Sequence, residues 1–414
     1  NKSRAGLRVL FILDGSPLVR SLPFAVCSAA LAYVLEREFP NEVHAWFLHP
    51  YPYSVFAFVL GFVLVFRTNA ALARYWEART QAQQMGAKLA DACMHAVLFD
   101  GAGGGRAEKE RGTGEEAAHA AFASDAIHLF SLLHAVALQS FRRDWDLSNL
   151  AEACEGAGEP RPPANPFEEP GWGWAARLST VLLLRTDTAF ARRAHALAKV
   201  PVLGGVAPME RHVLEGSLAR AHLVEGWVLR ALIKRAEQGG LGVAEPIRSR
   251  LYQFISDGMA AYAQALKVTD TPFPFPHVQL IQMLLLLFSA TAPLLFCAHI
   301  ENDGLVFTLC FISVWAYYSL NEVSRELEDP FLYAPNNLSV RQLQADFNVR
   351  IAAARVAVSG ASRDALAMER AEGYIAPAVA GASSSSANGG SGEAALPTSA
   401  TIEARQSYEA VSSV

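Results

Sequence analysis

The sequence carries little charge and has no basic surplus. Charged residues make up 18% of its 414 residues, and the formal net charge is −5. A protein that binds nucleic acid through its phosphates needs a concentrated positive charge. The composition therefore argues against a nucleic-acid partner.

Cysteine pairs are also missing. None of the five cysteines stands in a C-x-x-C pair, and three of them lie in or beside apolar segments. Such cysteines are expected to be small buried residues rather than parts of a disulfide or zinc framework.

Two further patterns are missing in the middle of the chain. From Ala117 to Lys267 no stretch alternates apolar and polar residues, so no sheet is predicted there. The Gly-rich run at 100–118 contains a lysine, but it follows a helix rather than a strand and has no GK[ST] ending. This run predicts a flexible loop and not a phosphate-binding loop.

Apolar residues are plentiful and unevenly distributed. They form 52% of the chain and concentrate in four stretches, whereas the long middle and the tail are polar. This pattern is typical of a membrane protein with a large extramembrane part. The predicted spans are 18–35, a second that begins near Tyr53, 278–298 and 306–320.

Helical patterns separated by Pro- and Gly-rich turns follow the second span. They predict helices at 118–145, 174–198, 207–238 and 244–267, and a further helix at 339–357. Within the first, the pairs Glu116/His119 and Asp125/His128 imitate the Glu-x-x-His spacing of di-iron bundles. Such a site needs a glutamate from each of two more helices, so no metal site is predicted.

The second span runs without a break into a charged helical segment, from Tyr53 to Arg79. Phe58, Phe62 and Phe66 recur at i, i+4 and i+8, which places them on one helix face. Arg67, Thr68 and Asn69 follow directly. Two interpretations stay open at this point: a face packed against core or lipid, or an aromatic constriction of a pore that opens onto polar residues.

Four segments carry a resemblance to a known family. They are FVLVFRTNAALARYWEAR, LRVLFILDGSPLVRSL, TPFPFPHVQL and NEVSRELEDPF, and together they cover the chain from about residue 6 to residue 350. In kind and order they resemble the bestrophins, especially the bacterial and plastid branch. Bestrophins are homopentameric, anion-selective channels.

The resemblance implies an all-α polytopic membrane protein with four transmembrane helices and a large helical soluble-side domain, forming a homopentameric ring around an axial pore. Phe58, Phe62 and Phe66 would form the pore neck, and Phe273 a second constriction. Arg67 and Asn69 would be polar pore contacts, although Arg67 could instead pair with an acid such as Glu77 or Glu326. The residues expected to hold the family motifs in place are Arg74, Trp76, Glu77, Arg79, Asp329, Pro330 and Phe331.

The expected organisation has seven parts. They are a membrane-surface segment (1–20), the first two membrane helices with the extension of the pore helix (18–99), a flexible loop (100–117), the helical domain (118–270), the third and fourth membrane helices (271–330), a C-terminal helical segment (331–360) and a disordered tail (361–414). The loops at 36–52 and 300–305 carry one basic residue between them. By the positive-inside rule, the termini and the helical domain lie on the cytoplasmic or stromal side.

The resemblance also sets expectations for ligands. Chloride or bicarbonate would be the permeant ion, and Pro52 places a helix N-terminus, which attracts anions, at one membrane face. Animal bestrophins carry a calcium-binding acidic cluster after their Asn-Pro-Phe, but here no carboxylate follows Phe331 until Asp346, so calcium gating is not carried over. No cofactor is expected. The partners would be the bilayer, other copies of the chain and, through the tail, a soluble protein.

Location and alternatives complete the expectations. The thylakoid membrane of a chloroplast is favoured, with the plasma membrane as the alternative, and the start at Asn1 leaves open that a transit peptide has been removed. Two other functions stay open. One is a membrane scaffold that binds a soluble partner, and the other is a metal-dependent membrane enzyme.

Overall fold

Helices dominate the structure, a computed structural model that describes residues 16–39, 51–102, 113–153, 199–331 and 338–358. The described helices are α1 (Pro17–Glu38), α2 (Tyr51–Ala102), α3 (Thr113–Phe141), α4 (Pro208–Glu215), α5 (Arg220–Glu237), α6 (Glu245–Asp270), α7 (Phe275–His299), α8 (Asp303–Glu328) and α9 (Val340–Val358). The predicted helix at 174–198 and the tail at 361–414 lie outside the described residues.

The long helix α2 joins two separate cores. Its 52 residues correspond to about 78 Å of helix, more than twice the hydrocarbon thickness of a bilayer. Leu60 and Leu64 belong to a core shared with α1, α7 and α8. Residues from Ala78 to Val97 belong to a larger core shared with α3, α5, α6 and α9. One helix therefore connects the apolar end of the chain to its helical domain.

Within the described residues, five helices are long and apolar enough to cross a membrane, one more than the four predicted spans. The additional helix is α3, whose apolar window is 78% buried within the chain, against 22–33% for the windows of α1, α2, α7 and α8. An apolar helix covered by protein on all sides belongs to a core, whereas an uncovered one needs lipid or another subunit. Burial thus separates α3 from the other four.

A two-stranded parallel sheet corrects the prediction that the middle of the chain contains no sheet. Strands β1 (Leu150–Ala153) and β2 (Val200–Leu203) pair in register, with Leu150 opposite Val200. All four residues of β2 are buried, so its sequence does not alternate. A four-residue strand buried on both faces leaves no period-2 signal in the sequence.

Two predicted boundaries are also corrected. Helix α2 extends to Ala102 and α3 begins at Thr113, so both reach into the segment that had been assigned to a loop at 100–117. Helix α7 begins at Phe275, three residues before the start of the predicted span at 278–298 and within the proline-rich segment that precedes it. Proline fits the first turn of a helix because that turn's N–H groups have no intrahelical acceptor.

The contact between α2 and α6 is unusually close at Gly258. A Cβ atom at this position would lie 2.9 Å from Leu89 Cδ2 and 3.0 Å from Leu89 Cγ. Beside this pair, Lys88 forms an ion pair with Asp257 at 3.5 Å and lies over the ring of Phe254. The glycine lets the helical domain pack directly against the C-terminal half of α2.

Candidate functional site

The three phenylalanines of α2 form an exposed stripe. Phe58, Phe62 and Phe66 are 73%, 55% and 57% exposed. The Phe58 and Phe62 rings stack with centroids 6.4 Å apart, and the Phe62 and Phe66 rings meet edge to face at 4.6 Å. We call these residues the phenylalanine stripe. It covers about 12 Å along the helix.

The opposite face of the same helix is buried. Leu60, Leu64, Arg67 and Ala71 are each at most 1% exposed, and they recur with helical spacing. At 100° per residue, this buried face points about 140–180° away from Phe62. The phenylalanine stripe is therefore the face that the described parts of the chain leave uncovered.

Arg67 lies on the buried face, in a polar site between the two cores. Its Nε donates to Glu328 Oε1 at 2.8 Å, and its Nη1 donates to Asn321 Oδ1 at 2.6 Å. The side chain is 1% exposed. The acid beside it is thus Glu328 and not Glu77 or Glu326, which pair instead with Lys267 at 2.9 Å and Arg20 at 2.7 Å.

The two residues after Arg67 have different surroundings. Thr68 is hydrogen-bonded to Ser324 at 2.8 Å and donates to the Leu64 carbonyl at 2.8 Å, so it continues the polar contact with α8. Asn69 is exposed and lies within about 20° of Phe62 around the helix. Asn69 therefore extends the face of the phenylalanine stripe, whereas Thr68 does not.

Phe273 lies in the short connection between α6 and α7 and is half-buried. Its ring centroid is 5.8 Å from the Arg67 Cζ and 5.4 Å from the ring of His277. A guanidinium beside an aromatic ring is an attractive pairing. Phe273 thus contacts the polar site on the buried side of α2.

Arg74 connects three helices. Its Nη2 donates to the carbonyls of Val268 at 2.8 Å and Thr271 at 2.7 Å, and its Nε donates to the Glu328 carbonyl at 3.4 Å. The last carbonyls of a helix have no intrahelical partner and carry partial negative charge. Arg74 therefore stabilises the ends of α6 and α8 against α2.

The segment after α8 anchors that helix in the larger core. Pro330 and Phe331 are buried, the Phe331 ring lies 5.0 Å from that of Phe141, and the Pro330 carbonyl accepts from Leu338 N–H at 2.9 Å. Asp329, which precedes them, is half-buried at the end of α8. This turn joins the membrane-type helices to the helical domain.

The sequence analysis did not identify the residues of α8 that hold Arg67 and Thr68. Asn321, Ser324 and Glu328 recur at i, i+3 and i+7, which places them on one helix face. A polar face at the end of an apolar helix is a signal for a polar partner. The sequence alone gives no means of choosing that partner among the arginines of the chain.

The histidines with di-iron-like spacing have other contacts. His119 Nδ1 lies 2.6 Å from Asp100 Oδ2, while His128 lies 2.8 Å from the Leu203 carbonyl and 2.9 Å from Glu210 Oε1. Within the residues that the structure describes, no group of three or more histidine, cysteine or acidic side chains is placed to hold a metal ion.

Comparison with known proteins identifies the family. The family model described as bacterial/fungal bestrophin protein matches residues 1–145 and 198–353, most of the chain. The chain belongs to this bestrophin family. A comparison with curated proteins finds no match.

Solved bestrophin structures share the fold. A crystal structure of a single-residue variant of a bacterial bestrophin homolog from Klebsiella pneumoniae matches with a TM-score of 0.54 and 13% identity, covering 84% of this chain and 99% of that one. A second variant of the same protein matches with a TM-score of 0.55 and 12% identity, covering 84% of this chain and 98% of that one. The structure of the homolog that was phased with zinc matches with a TM-score of 0.53 and 14% identity, covering 82% of this chain and 97% of that one.

Membership of the bestrophin family confirms the resemblance found in the sequence motifs. Together with the apolar helices, it supports an integral membrane protein and points to an anion channel. At these low identities the solved structures support the fold alone.

Proposed function

We propose that this bestrophin is an anion channel in which five copies surround an axial pore and the phenylalanine stripe of each α2 forms the neck. Helices α1, α7, α8 and the first half of α2 would cross the membrane, with α3 in the core of the helical domain. Chloride and bicarbonate are the proposed permeant ions.

The observation that carries this proposal is the exposure of three successive phenylalanines on one face of the helix that joins both cores. Each of these rings is more than half exposed, and the opposite face is covered by the chain itself. In a ring of five chains, this free face would point to the axis. Aromatic ring edges carry partial positive charge, so a narrow phenylalanine ring can pass a weakly hydrated anion without binding it tightly.

Helix ends would add to the anion preference. Helix α2 begins at Tyr51, close to the start expected from Pro52. The first turn of a helix has free N–H groups and the positive end of the helix dipole. Five such ends around one mouth would attract anions without a charged side chain.

Arg67 supports the neck in a different way from the one first expected. Its guanidinium is buried and balanced by Glu328, so its proposed role is to fix the turn that carries Phe66 rather than to contact the permeating ion. Asn69 remains the proposed polar pore contact directly below the neck.

The test is anion current through purified protein in planar bilayers. Replacing Phe58, Phe62 and Phe66 together by alanine is expected to raise single-channel conductance and weaken gating, because the narrow apolar section would widen and fill with water. Unchanged currents would remove the neck assignment.

The matched control is another set of three exposed apolar residues. Met283, Leu286 and Leu287 on α7 are 58%, 66% and 50% exposed. They are proposed to face lipid or a neighbouring chain, so their replacement by alanine should leave conductance near that of the unmodified channel.

A second constriction at Phe273 remains part of the proposal. Its support is the resemblance of the segment TPFPFPHVQL to the family motif, together with the half-buried position of Phe273 in the connection that leads from the helical domain into α7. The same recordings on Phe273→Ala test it, since a constriction there predicts a change in conductance with the phenylalanine stripe intact.

Two other functions make different predictions. A scaffold that binds a soluble partner predicts no anion flux in liposomes. A metal-dependent membrane enzyme predicts stoichiometric iron or zinc in the purified protein, which elemental analysis would detect. No contact in the described residues favours either function over the channel.

The proposed location is the chloroplast thylakoid membrane, with the plasma membrane as the alternative. Its support is the resemblance of the sequence motifs to plastid as well as bacterial bestrophins. Immunogold labelling of the protein in its native cells distinguishes the two membranes.

A further inference from the structure

The exposed face of α2 continues well beyond the phenylalanine stripe. Asn69, Trp76, Thr80 and Gln83 are all exposed, and at 100° per residue each lies within about 60° of Phe62 around the helix. Their side chains end in amide, indole and hydroxyl groups. Along the free face, the side chains thus change from aromatic to hydrogen-bonding about 5 Å from Phe66 towards the C-terminus of the helix.

Trp76 is the unusual member of this series. It is 60% exposed although it lies beyond the apolar half of the helix, and its ring meets that of Tyr75 edge-on at 6.1 Å. No hydrogen bond joins its indole N–H to any residue that the structure describes. Indole N–H is a donor only, so it is available to an acceptor such as an anion or water.

Gln83 presents a donor to the same face. Its Oε1 accepts a hydrogen bond from Arg79 Nη1 at 2.9 Å. With the oxygen engaged, the amide NH₂ group is the donor that remains, and it bonds to no residue that the structure describes. Arg79 therefore orients a second donor about two helical turns beyond Trp76.

Charge in these turns favours anions as well. Residues 69–83 contain two arginines, Arg74 and Arg79, and one acid, Glu77, which pairs with Lys267 at 2.9 Å. Within the described parts of the chain, neither arginine pairs with a carboxylate, and their hydrogen bonds go to carbonyl oxygens and to the Gln83 amide. This contrasts with Arg67, whose charge is balanced by Glu328.

We propose that the turns of α2 from Asn69 to Gln83 select the anion, with the Trp76 indole N–H as the donor that contacts it. This inference rests on the proposed channel, since it requires α2 to face the axis. The phenylalanine stripe would set the width of the path, and the donors beyond it would discriminate between anions. Bicarbonate presents charged oxygen acceptors that form short, charge-assisted N–H···O⁻ hydrogen bonds, so we expect the donors to favour bicarbonate over chloride.

The direct test is Trp76→Phe, which removes the donor and keeps an aromatic ring. The bicarbonate-to-chloride permeability ratio, measured from reversal potentials in bilayers, is expected to fall about twofold or more, in the range of one weak hydrogen bond. The matched control is Trp145→Phe, which changes another exposed tryptophan, outside α2, and should leave the ratio unchanged. An unchanged ratio in a conducting Trp76→Phe channel would overturn the proposal.

A second measurement decides the question if Trp76→Phe does not conduct. Thr80→Cys is expected to react with a charged thiol reagent and to change the current, whereas Ala78→Cys, on the buried face, should not react. The background carries Cys27→Ser because Cys27 is exposed, and Cys154→Ser because Cys154 lies outside the described residues. Cys93, Cys297 and Cys310 are buried and are kept. An unreactive Thr80→Cys in a conducting channel overturns the proposal.

These outcomes are separate from the test of the proposed function. If the unmodified protein carries no anion current, the channel itself is refuted. If it conducts and responds to loss of the phenylalanine stripe but not to Trp76→Phe, only the assignment of the selecting turns fails.

Discussion

At the scale of single residues, the polar site around Arg67 shows how burial changes the role of a charge. A guanidinium with almost no exposure must be balanced and hydrogen-bonded, and Glu328 and Asn321 do both. Removing one partner leaves a buried charge without compensation, whereas replacing both by apolar residues removes the need for it.

This asymmetry gives a prediction. Glu328→Leu is expected to destabilise the protein by about 3–5 kcal/mol, while adding Arg67→Met should recover much of that loss. Thermal melting in detergent would give the order of stability. The control is Glu77→Gln, which breaks the exposed pair with Lys267 and should cost about 0.5 kcal/mol or less. Equal melting temperatures for Glu328→Leu and Glu77→Gln would contradict this account.

His134 is a buried titratable residue in the helical domain. Its Nδ1 donates to Gln344 Oε1 at 2.7 Å, and the Gln344 amide NH₂ is fixed by the Ser131 carbonyl and Asn348. The ring also stacks on Phe347 with centroids 4.0 Å apart. Burial lowers the pKa of His134 to about 4, with a smaller contribution from the charge of Arg350, so the native imidazole is neutral.

The lowered pKa predicts how stability depends on pH. The unfolded chain takes up a proton near pH 6.5, and the folded chain does so only near pH 4. Stability from His134 is therefore present above pH 6.5 and is lost as the pH falls towards 4. His134→Gln should flatten this part of the curve of melting temperature against pH. His222→Gln, at an exposed histidine, should not.

At the scale of elements, the contact between α2 and α6 ties the proposed pore helix to the helical domain. Gly258 permits this contact because Leu89 occupies the space where a side chain would lie. Both helices would have to separate, or Leu89 would have to move, to accept a methyl group. In a packed core such an insertion costs about 1–3 kcal/mol.

Gly258→Ala is therefore expected to lower the melting temperature. The matched control is Gly226→Ala on α5, where no atom beyond the adjacent residues and the backbone of the same helix lies within 4 Å of the added Cβ. Because alanine favours helix over glycine, this control should be neutral or stabilising by up to about 1 kcal/mol. The same sign for both variants would show that the α2–α6 contact is looser than the structure indicates.

At the scale of the whole molecule, the uncovered helix faces require other surfaces. The apolar windows of α1, α2, α7 and α8 are mostly unburied in one chain, and they would be covered by lipid and by neighbouring copies. We expect native mass spectrometry in mild detergent to give five chains. A predominant monomer in which the chain still conducts would contradict a pore formed between chains.

Orientation in the membrane can be tested with the same protein. Glu301, in the connection between α7 and α8, and Glu237, at the end of α5, should lie on opposite sides of the membrane. An impermeant thiol reagent should therefore label Glu301→Cys and Glu237→Cys from opposite faces of sealed vesicles. Labelling of both from one face would show that the helices cross differently.

The sequence by itself determined the features that depend on local spacing. The family motifs, the apolar stretches that became α1, α2, α7 and α8, and the placement of Phe58, Phe62 and Phe66 on one face all follow from residues a few positions apart. Helical periodicity fixes which side chains share a face, whatever the rest of the chain does.

Only the tertiary structure decided what each face meets. It pairs Arg67 with Glu328, 261 residues away, buries the apolar α3 inside the helical domain, and joins two four-residue strands on either side of a 46-residue interval. Local composition cannot decide these points, because an apolar helix has the same sequence pattern whether protein or lipid covers it. Likewise, a charged residue in the sequence does not show whether its side chain lies in water or in an ion pair, because its partner is brought to it by long-range packing.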